Sequence, residues 1–247
     1  SDKTVPVIGS GGVLAGTESF IETRGGSKSV MPLYTSDRNG AFEAYLQNGS
    51  NNYVLRQQVD QVSMGLGGTW HNGSPITAIG DFRWLNYRAS VDVSFESSVA
   101  QITNNYAQLG ARQQGGANSH FSQGTPYLLK FLFDGSWQLL VDATPVASGN
   151  VVNGAGPRIS NFDARPQAWH KLELEVINNR VTGFLDGVKL AEYTDNHLRL
   201  SGRVDLGSGY YPTLFDNLIV RRINGQPAYY SEFLDGHEMH DLAEIPE

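Results

Sequence analysis

The chain has no cysteine among its 247 residues, so disulfides and thiolate metal sites are excluded. The absence does not fix a compartment. No run of eighteen apolar residues occurs, so no segment is a candidate membrane-spanning helix. Lys and Arg number 18 against 25 Asp and Glu, a formal net charge of -7. No basic cluster offers the phosphate contacts that a nucleic acid requires, which leaves neutral or cationic partners open. No repeat period is present, which disfavours a propeller or solenoid. The opening Ser1-Asp2-Lys3 shows no charged-then-apolar leader, so any signal peptide is removed or never existed, and the chain reads as a mature or excised fragment; a secreted or extracytoplasmic location is expected.

What is abundant is turn and strand material. The 28 glycines supply tight turns, and aromatic content is high, which favours an all-β class. In the stretch from Trp169 to Gly187, Leu172, Leu174 and Val176 alternate with Lys171, Glu173 and Glu175, the period-two pattern of a strand with one dry face. Asn178-Asn179 and Asp186-Gly187 then supply hairpin turns, so the spacing predicts an antiparallel meander ending near Tyr193. Arg83 to Ser97 carries Tyr87, Ala89, Val91, Val93 and Phe95 at strict alternation. Further strands are expected over Ala41 to Leu46, Tyr53 to Val59, Tyr106 to Gln113, Tyr127 to Phe133, Trp137 to Val141, Arg199 to Leu206 and Leu214 to Ile223.

Ala147 to Arg165 reads as a loop, limited by Pro157 and Pro166. About a dozen strands joined by tight turns predict an antiparallel two-sheet β-sandwich of jelly-roll type. The expected division is an entry segment over 1–30 with a strand or two, a sandwich over 31–225, and an acidic tail over 226–247 that is a docking tail or a short helix. Trp84, Trp137 and Trp169, beginning or within strands, are expected mainly in the core.

Catalytic constellations are missing. A retaining glycosidase needs two carboxyl groups about 5 Å apart, yet no Glu-x-Asp-x-x-Glu pattern exists here. Glu173 and Glu175 share a strand face but read better as its solvated side. His237-Glu238-Met239-His240 is one residue short of the zinc-binding His-Glu-x-x-His. Ser119-His120 and Ser208 lack the Gly-x-Ser-x-Gly frame of a nucleophile elbow, and Gly65 to Gly68 lacks the Lys and Ser/Thr of a phosphate loop.

Trp169-x-x-Leu172-x-Leu174, Leu185-Asp186-Gly187 and Phe215-Asp216-Asn217-Leu218-x-Val220 together resemble the concanavalin-like, laminin-G-like sandwiches. Asp37-Arg38-Asn39-Gly40-Ala41-Phe42-Glu43, Leu55-Arg56-Gln57 and Ile79-Gly80-Asp81-Phe82-Arg83-Trp84, followed by Phe215-Asp216-Asn217, are similar to the C-terminal lectin-like domain of the galactocerebrosidase family of glycoside hydrolases. The likeness covers roughly residues 31 to 223. It implies a sugar-associated accessory domain, because that family's two catalytic glutamates lie in a separate barrel domain.

Asp37 and Asn39 place two oxygen side chains on one turn, and with Asp216 they form a candidate calcium site whose shell carbonyls and water would complete. The resemblance implies calcium at matching positions, in a structural role; the competing reading is Asx capping at Asp37 and Asn39. Sugar binding calls for an aromatic platform with a few fixed polar groups. The candidates are Trp70 and His71 in a glycine-rich loop, Tyr106 with Arg112 on a half-polar strand, and Tyr210 and Tyr211 before the last strand.

The expected partners are a carbohydrate, with galactose-containing glycans among the candidates, and the catalytic domain of a parent enzyme. Two other readings stay open: a self-contained jelly-roll glycoside hydrolase or lyase, and a protein-binding adhesion or assembly module.

Overall fold

A computed structural model describes residues 13–16, 29–30, 35–47, 49, 52–59, 74–96, 106–114, 124–197, 199 and 201–227. Trp70, His71, the Ser119-His120 pair and the His237 to His240 stretch lie outside the described residues. Among the described residues there are sixteen strands and no helix. They are β1 (Val13–Gly16), β2 (Ser29–Val30), β3 (Ser36–Asn39), β4 (Phe42–Leu46), β5 (Tyr53–Gln57), β6 (Ile76–Ile79), β7 (Tyr87–Phe95), β8 (Ala107–Gln113), β9 (Tyr127–Phe131), β10 (Ser136–Val141), β11 (Thr144–Asn150), β12 (His170–Ile177), β13 (Arg180–Leu185), β14 (Val188–Thr194), β15 (Arg203–Ser208) and β16 (Thr213–Arg222).

They form two sheets, and every pairing is antiparallel. A nine-stranded sheet runs β14-β13-β12-β7-β16-β5-β4-β2, with β1 also paired to β16. A seven-stranded sheet runs β11-β10-β9-β8-β15-β6-β3. The segment 1–30 thus lends two short strands to the larger sheet, one against β16 and one against β4.

Alternation explains how the sheets stack. In β7, Tyr87, Ala89, Val91 and Val93 are wholly buried, while Arg88, Ser90 and Asp92 are half-exposed. These apolar residues join Leu109, Leu129 and Leu139 of the smaller sheet in one core, where Phe95 and Phe131 meet with ring centroids 6.0 Å apart. Each such fully buried side chain contributes roughly 1.5–3 kcal/mol. The outer face of the larger sheet is a mesh of ion pairs. Arg88 binds Glu173 at 3.0 Å and reaches Glu175 at 3.7 Å, and Lys171 lies 3.7 Å from Asp92. Glu173 and Glu175 are therefore the wet side of the meander, as their alternation predicts.

The meander itself is β12-β13-β14 at one edge, turning at Asn178 (φ 52°) and at Asp186-Gly187 (φ 46° and 79°). An equivalent turn at Asp142-Ala143 (φ 48° and 66°) joins β10 to β11. It makes the first residues of the expected 147–165 loop a strand. That strand is an edge strand, where Pro145 removes no ladder bond that a neighbour needs, and the register shifts opposite it between Leu139 and Leu140.

The long strand expected from Arg83 begins only at Tyr87, because Asp81 accepts from the Arg83 N–H at 2.8 Å and holds a turn there. Trp169 is the exception among the expected core tryptophans. His170 points inward and is 4% exposed, so period two turns Trp169 outward, where it is 37% exposed.

Candidate functional site

One row of cross-strand partners crosses the whole seven-stranded sheet. Ser148 pairs with Gln138, Gln138 with Lys130, Lys130 with Gln108, Gln108 with Gly207, Gly207 with Ile76, and Ile76 with Asn39. Directly opposed residues share a face. Because Ala107, Leu109, Leu129, Phe131 and Leu139 belong to the core, the alternating residues Gln108, Lys130 and Gln138 face away from it. The row therefore lies on the outer face of this sheet, where Gln138 and Ser148 are exposed and Lys130 half-buried, while Gln108, Gly207 and Ile76 are buried.

At the β8-to-β11 end the surface is concave. A groove of about 540 Å³ is lined by Tyr106, Lys130, Trp137, Gln138, Ser148 and Gly149, among others. That volume falls within the range of small-ligand sites, roughly 300–1,000 Å³. Gly149 pairs with Trp137 on the core side of β11, where an added Cβ would stand 2.9 Å from the Trp137 ring.

The Lys130 ammonium sits 4.2 Å from the centroid of the Tyr106 ring, a cation–π contact. No carboxylate among the described residues pairs with it, and burial pushes its pKa below that of an ordinary lysine. Burial likewise raises the Tyr106 phenol, an effect the Ser74 hydroxyl opposes through a hydrogen bond.

A polar relay extends this end toward β3. Asn39 Nδ2 donates to the Tyr210 hydroxyl at 2.8 Å and to the Ser74 carbonyl at 3.3 Å, and the Ser74 side chain meets the Tyr106 hydroxyl. Tyr106 and Tyr210, both proposed from sequence as sugar contacts, are thus brought together through Asn39 and Ser74. Beside them, Gln108 is wholly buried, and neither atom of its amide has a hydrogen bond of normal geometry. It lies close enough to the Asp205 carboxylate to favour its ionised form, but burial dominates and raises Asp205 to about 6. Thr125 donates to the other Asp205 oxygen.

The remaining sequence candidates sit elsewhere. Arg112 is 1% exposed and is an interior clamp. Its guanidinium donates to the carbonyls of Leu85, Asn178 and Arg199. Tyr211 is 2% exposed and donates its hydroxyl proton to the Glu96 carbonyl at 2.5 Å. Neither faces the groove from these positions.

Asp37 and Asn39 stand on β3 of the smaller sheet, and Asp216 stands on β16 of the larger one. Asp216 follows the core residue Phe215, and its two oxygens accept from Asn52 Nδ2 at 2.8 Å and from the Asn217 N–H at 2.7 Å. Asp37 accepts from the Phe42 N–H at 3.2 Å, and the Asn39 oxygen accepts from the Gly40 N–H at 3.0 Å. Among the described residues no group of three or more His, Cys, Asp or Glu could hold a metal ion.

Lys130, Trp137, Gln138 and Ser148 escaped the sequence reading as a group. The only signal was that a lysine and a glutamine interrupt two apolar strands, which is also how any wet sheet face looks.

A family model described as galactocerebrosidase, C-terminal lectin domain, matches residues 37–223. The chain belongs to this family. Galactocerebrosidase of Salmo salar is 29% identical over 163 residues, which are 63% of this chain and 22% of that protein. The chain therefore matches under a quarter of that relative's length. Among solved structures, a carbohydrate binding module, CBM66 from Bacillus subtilis, superposes with a TM-score of 0.51 at 12% identity, covering 76% of this chain and 94% of the module. A chain from the endo-acting O-glycanases of human gut microbiota gives 0.50 at 10% identity, covering 81% and 96%. At such identities these two likenesses establish the sandwich fold alone. The family match and the two stacked antiparallel sheets agree with the fold expected from the sequence.

Proposed function

We propose that the chain is a non-catalytic, carbohydrate-associated domain of a galactosidase-type glycoside hydrolase, and that it binds sugar in the groove on the seven-stranded sheet. The observation that carries this is the groove itself. It combines one aromatic wall, Tyr106, with fixed polar groups, Lys130, Gln138 and Ser148, the combination that suits a ring with one apolar face and a polar rim. Tyr210 extends the site through Asn39.

The non-catalytic part rests on Glu173 and Glu175, the carboxylate pair at strand spacing, being engaged by Arg88 on the opposite sheet. Three further assignments belong to the same reading. They are a sandwich domain over 31–225 with an acidic tail, a catalytic domain of a parent enzyme as neighbour, and a secreted or extracytoplasmic location. No helix among the described residues is long and apolar enough to cross a membrane.

A structural calcium ion held through Asp37, Asn39 and Asp216, with carbonyls and water completing its shell, belongs to the same reading. Burial raises the Asp37 carboxyl, a desolvation that a cation would relieve. Calorimetric uptake of Ca²⁺ with a rise in Tm is expected; no uptake would remove calcium from the reading.

The deciding experiment is a glycan array probed with the isolated chain, alongside Tyr106→Ala and Tyr210→Phe. Binding that Tyr106→Ala abolishes, with its melting transition retained, supports the groove. Silence on every glycan would reject sugar binding, and turnover of an aryl galactoside by the isolated chain would reject the non-catalytic assignment.

A further inference from the structure

We infer that the groove selects a carbohydrate bearing one anionic group, a carboxylate or a sulfate ester, and that Lys130 is the residue that pairs with it. This rests on the carbohydrate reading above and narrows its ligand class.

Three observations carry the step. Lys130 is a half-buried cation whose ammonium has lost hydration, as the downward displacement of its pKa by burial shows. The contact found for it is the face of Tyr106, and no carboxylate among the described residues neutralises it. A partly desolvated charge gains most from an opposite charge brought to it.

The second observation is the company it keeps. Along the row, Lys130 lies between Gln138 and Gln108, and the groove's other polar groups, Ser136 and Ser148, are also neutral. A single cation among uncharged hydrogen-bonding groups matches a sugar with one negative substituent. A polyanion would meet a chain of net charge -7.

The third is the contrast with the larger sheet. There Arg88, Lys171 and Arg56 are each held by carboxylates, at Glu173, Asp92 and Glu96 respectively. Those three cations are internally satisfied, whereas the groove's lysine is left for a ligand.

The test is isothermal titration of the full chain with three probes: methyl β-galactoside, its sulfate ester and methyl galacturonide. Wild type is expected to bind one or both anionic probes about tenfold more tightly than the neutral one, the scale of one charge-assisted hydrogen bond. Which of the two wins distinguishes sulfate from carboxylate. Lys130→Met is expected to erase the preference and Lys130→Arg to keep part of it, with Tm followed to show that both variants fold. Added salt should narrow the preference.

Equal binding of neutral and anionic probes by wild type overturns this inference and leaves the sugar reading intact. So does an anion preference that survives in Lys130→Met. No binding of any probe, together with a silent array, overturns both.

Discussion

The Tyr87 hydroxyl accepts the main-chain N–H of Arg112 at 2.7 Å in the interior of the sandwich. The bond joins β7 of the larger sheet to β8 of the smaller one at the residue where β8 departs from ordinary strand geometry, since Arg112 has φ 58°. From there the Arg112 side chain gathers carbonyls from three separate segments, at Leu85, Asn178 and Arg199.

Arg112→Met should consequently unfold the chain more readily, by about 3–5 kcal/mol, because three interior carbonyls lose their donors together. Arg112→Lys should rescue little, since an ammonium cannot present the same planar fork. Urea denaturation measures both. A loss below about 1 kcal/mol would mean that the clamp is dispensable.

Asp205 predicts a pH dependence of stability. Burial pushes its carboxyl up to about 6, from 3.8 for an ordinary aspartate. The folded state therefore binds more protons between these values. The stabilisation is fully present below about pH 4 and is lost as pH rises through about 6. Asp205→Asn removes the buried charge at nearly constant volume, so it should gain about 1–3 kcal/mol near pH 7.5 and little near pH 4. Paired melts at the two pH values check this; an equal effect at both would show that Arg38, Arg203 and Thr125 already compensate the charge.

Gly149→Ala should hurt the fold. The added Cβ would stand 2.9 Å from the Trp137 ring, and Trp137 is packed in the core at 4% exposure. A loss of about 1–3 kcal/mol is expected.

Glu173→Gln tests the opposite sheet. Arg88 also reaches Glu175 and stacks over Phe184 at 4.1 Å, so it retains two other contacts. The change in stability should stay within about 1 kcal/mol, with sugar binding unaltered. A loss of ligand binding in this variant would move the site to the wrong sheet.

The fold was largely legible because its strongest strands carry their period openly. β12 and β7 alternate without interruption, and Asn178 and Asp186-Gly187 mark turns by their tolerance of positive φ. Strands without that signal were missed. β3 is Ser-Asp-Arg-Asn and reads as a turn, β6 is four buried residues too short to show a period, and β11 contains Pro145.

The site was less legible for a different reason. Tyr106 could be singled out on a half-polar strand and Tyr210 in the loop before the last strand, but Lys130, Gln138 and Ser148 meet only through the lateral order β11-β10-β9-β8. Lateral strand order is a tertiary fact. Arg112 shows the reverse error: a polar residue on a half-polar strand suggested a surface contact, whereas a positive φ and buried carbonyls turned it inward.

The row from Ser148 to Asn39 also works as a ruler. Adjacent strands lie about 4.8 Å apart, so its six intervals run for about 29 Å, while the groove between β8 and β11 occupies about 14 Å of that. A short ligand would be held wholly within the groove. A longer one, laid crosswise to the strands, would overrun the groove at β8, where Gln108, and Gly207 beyond it, are buried. The length of a bound chain, and not only its charge, would then be read by counting strands.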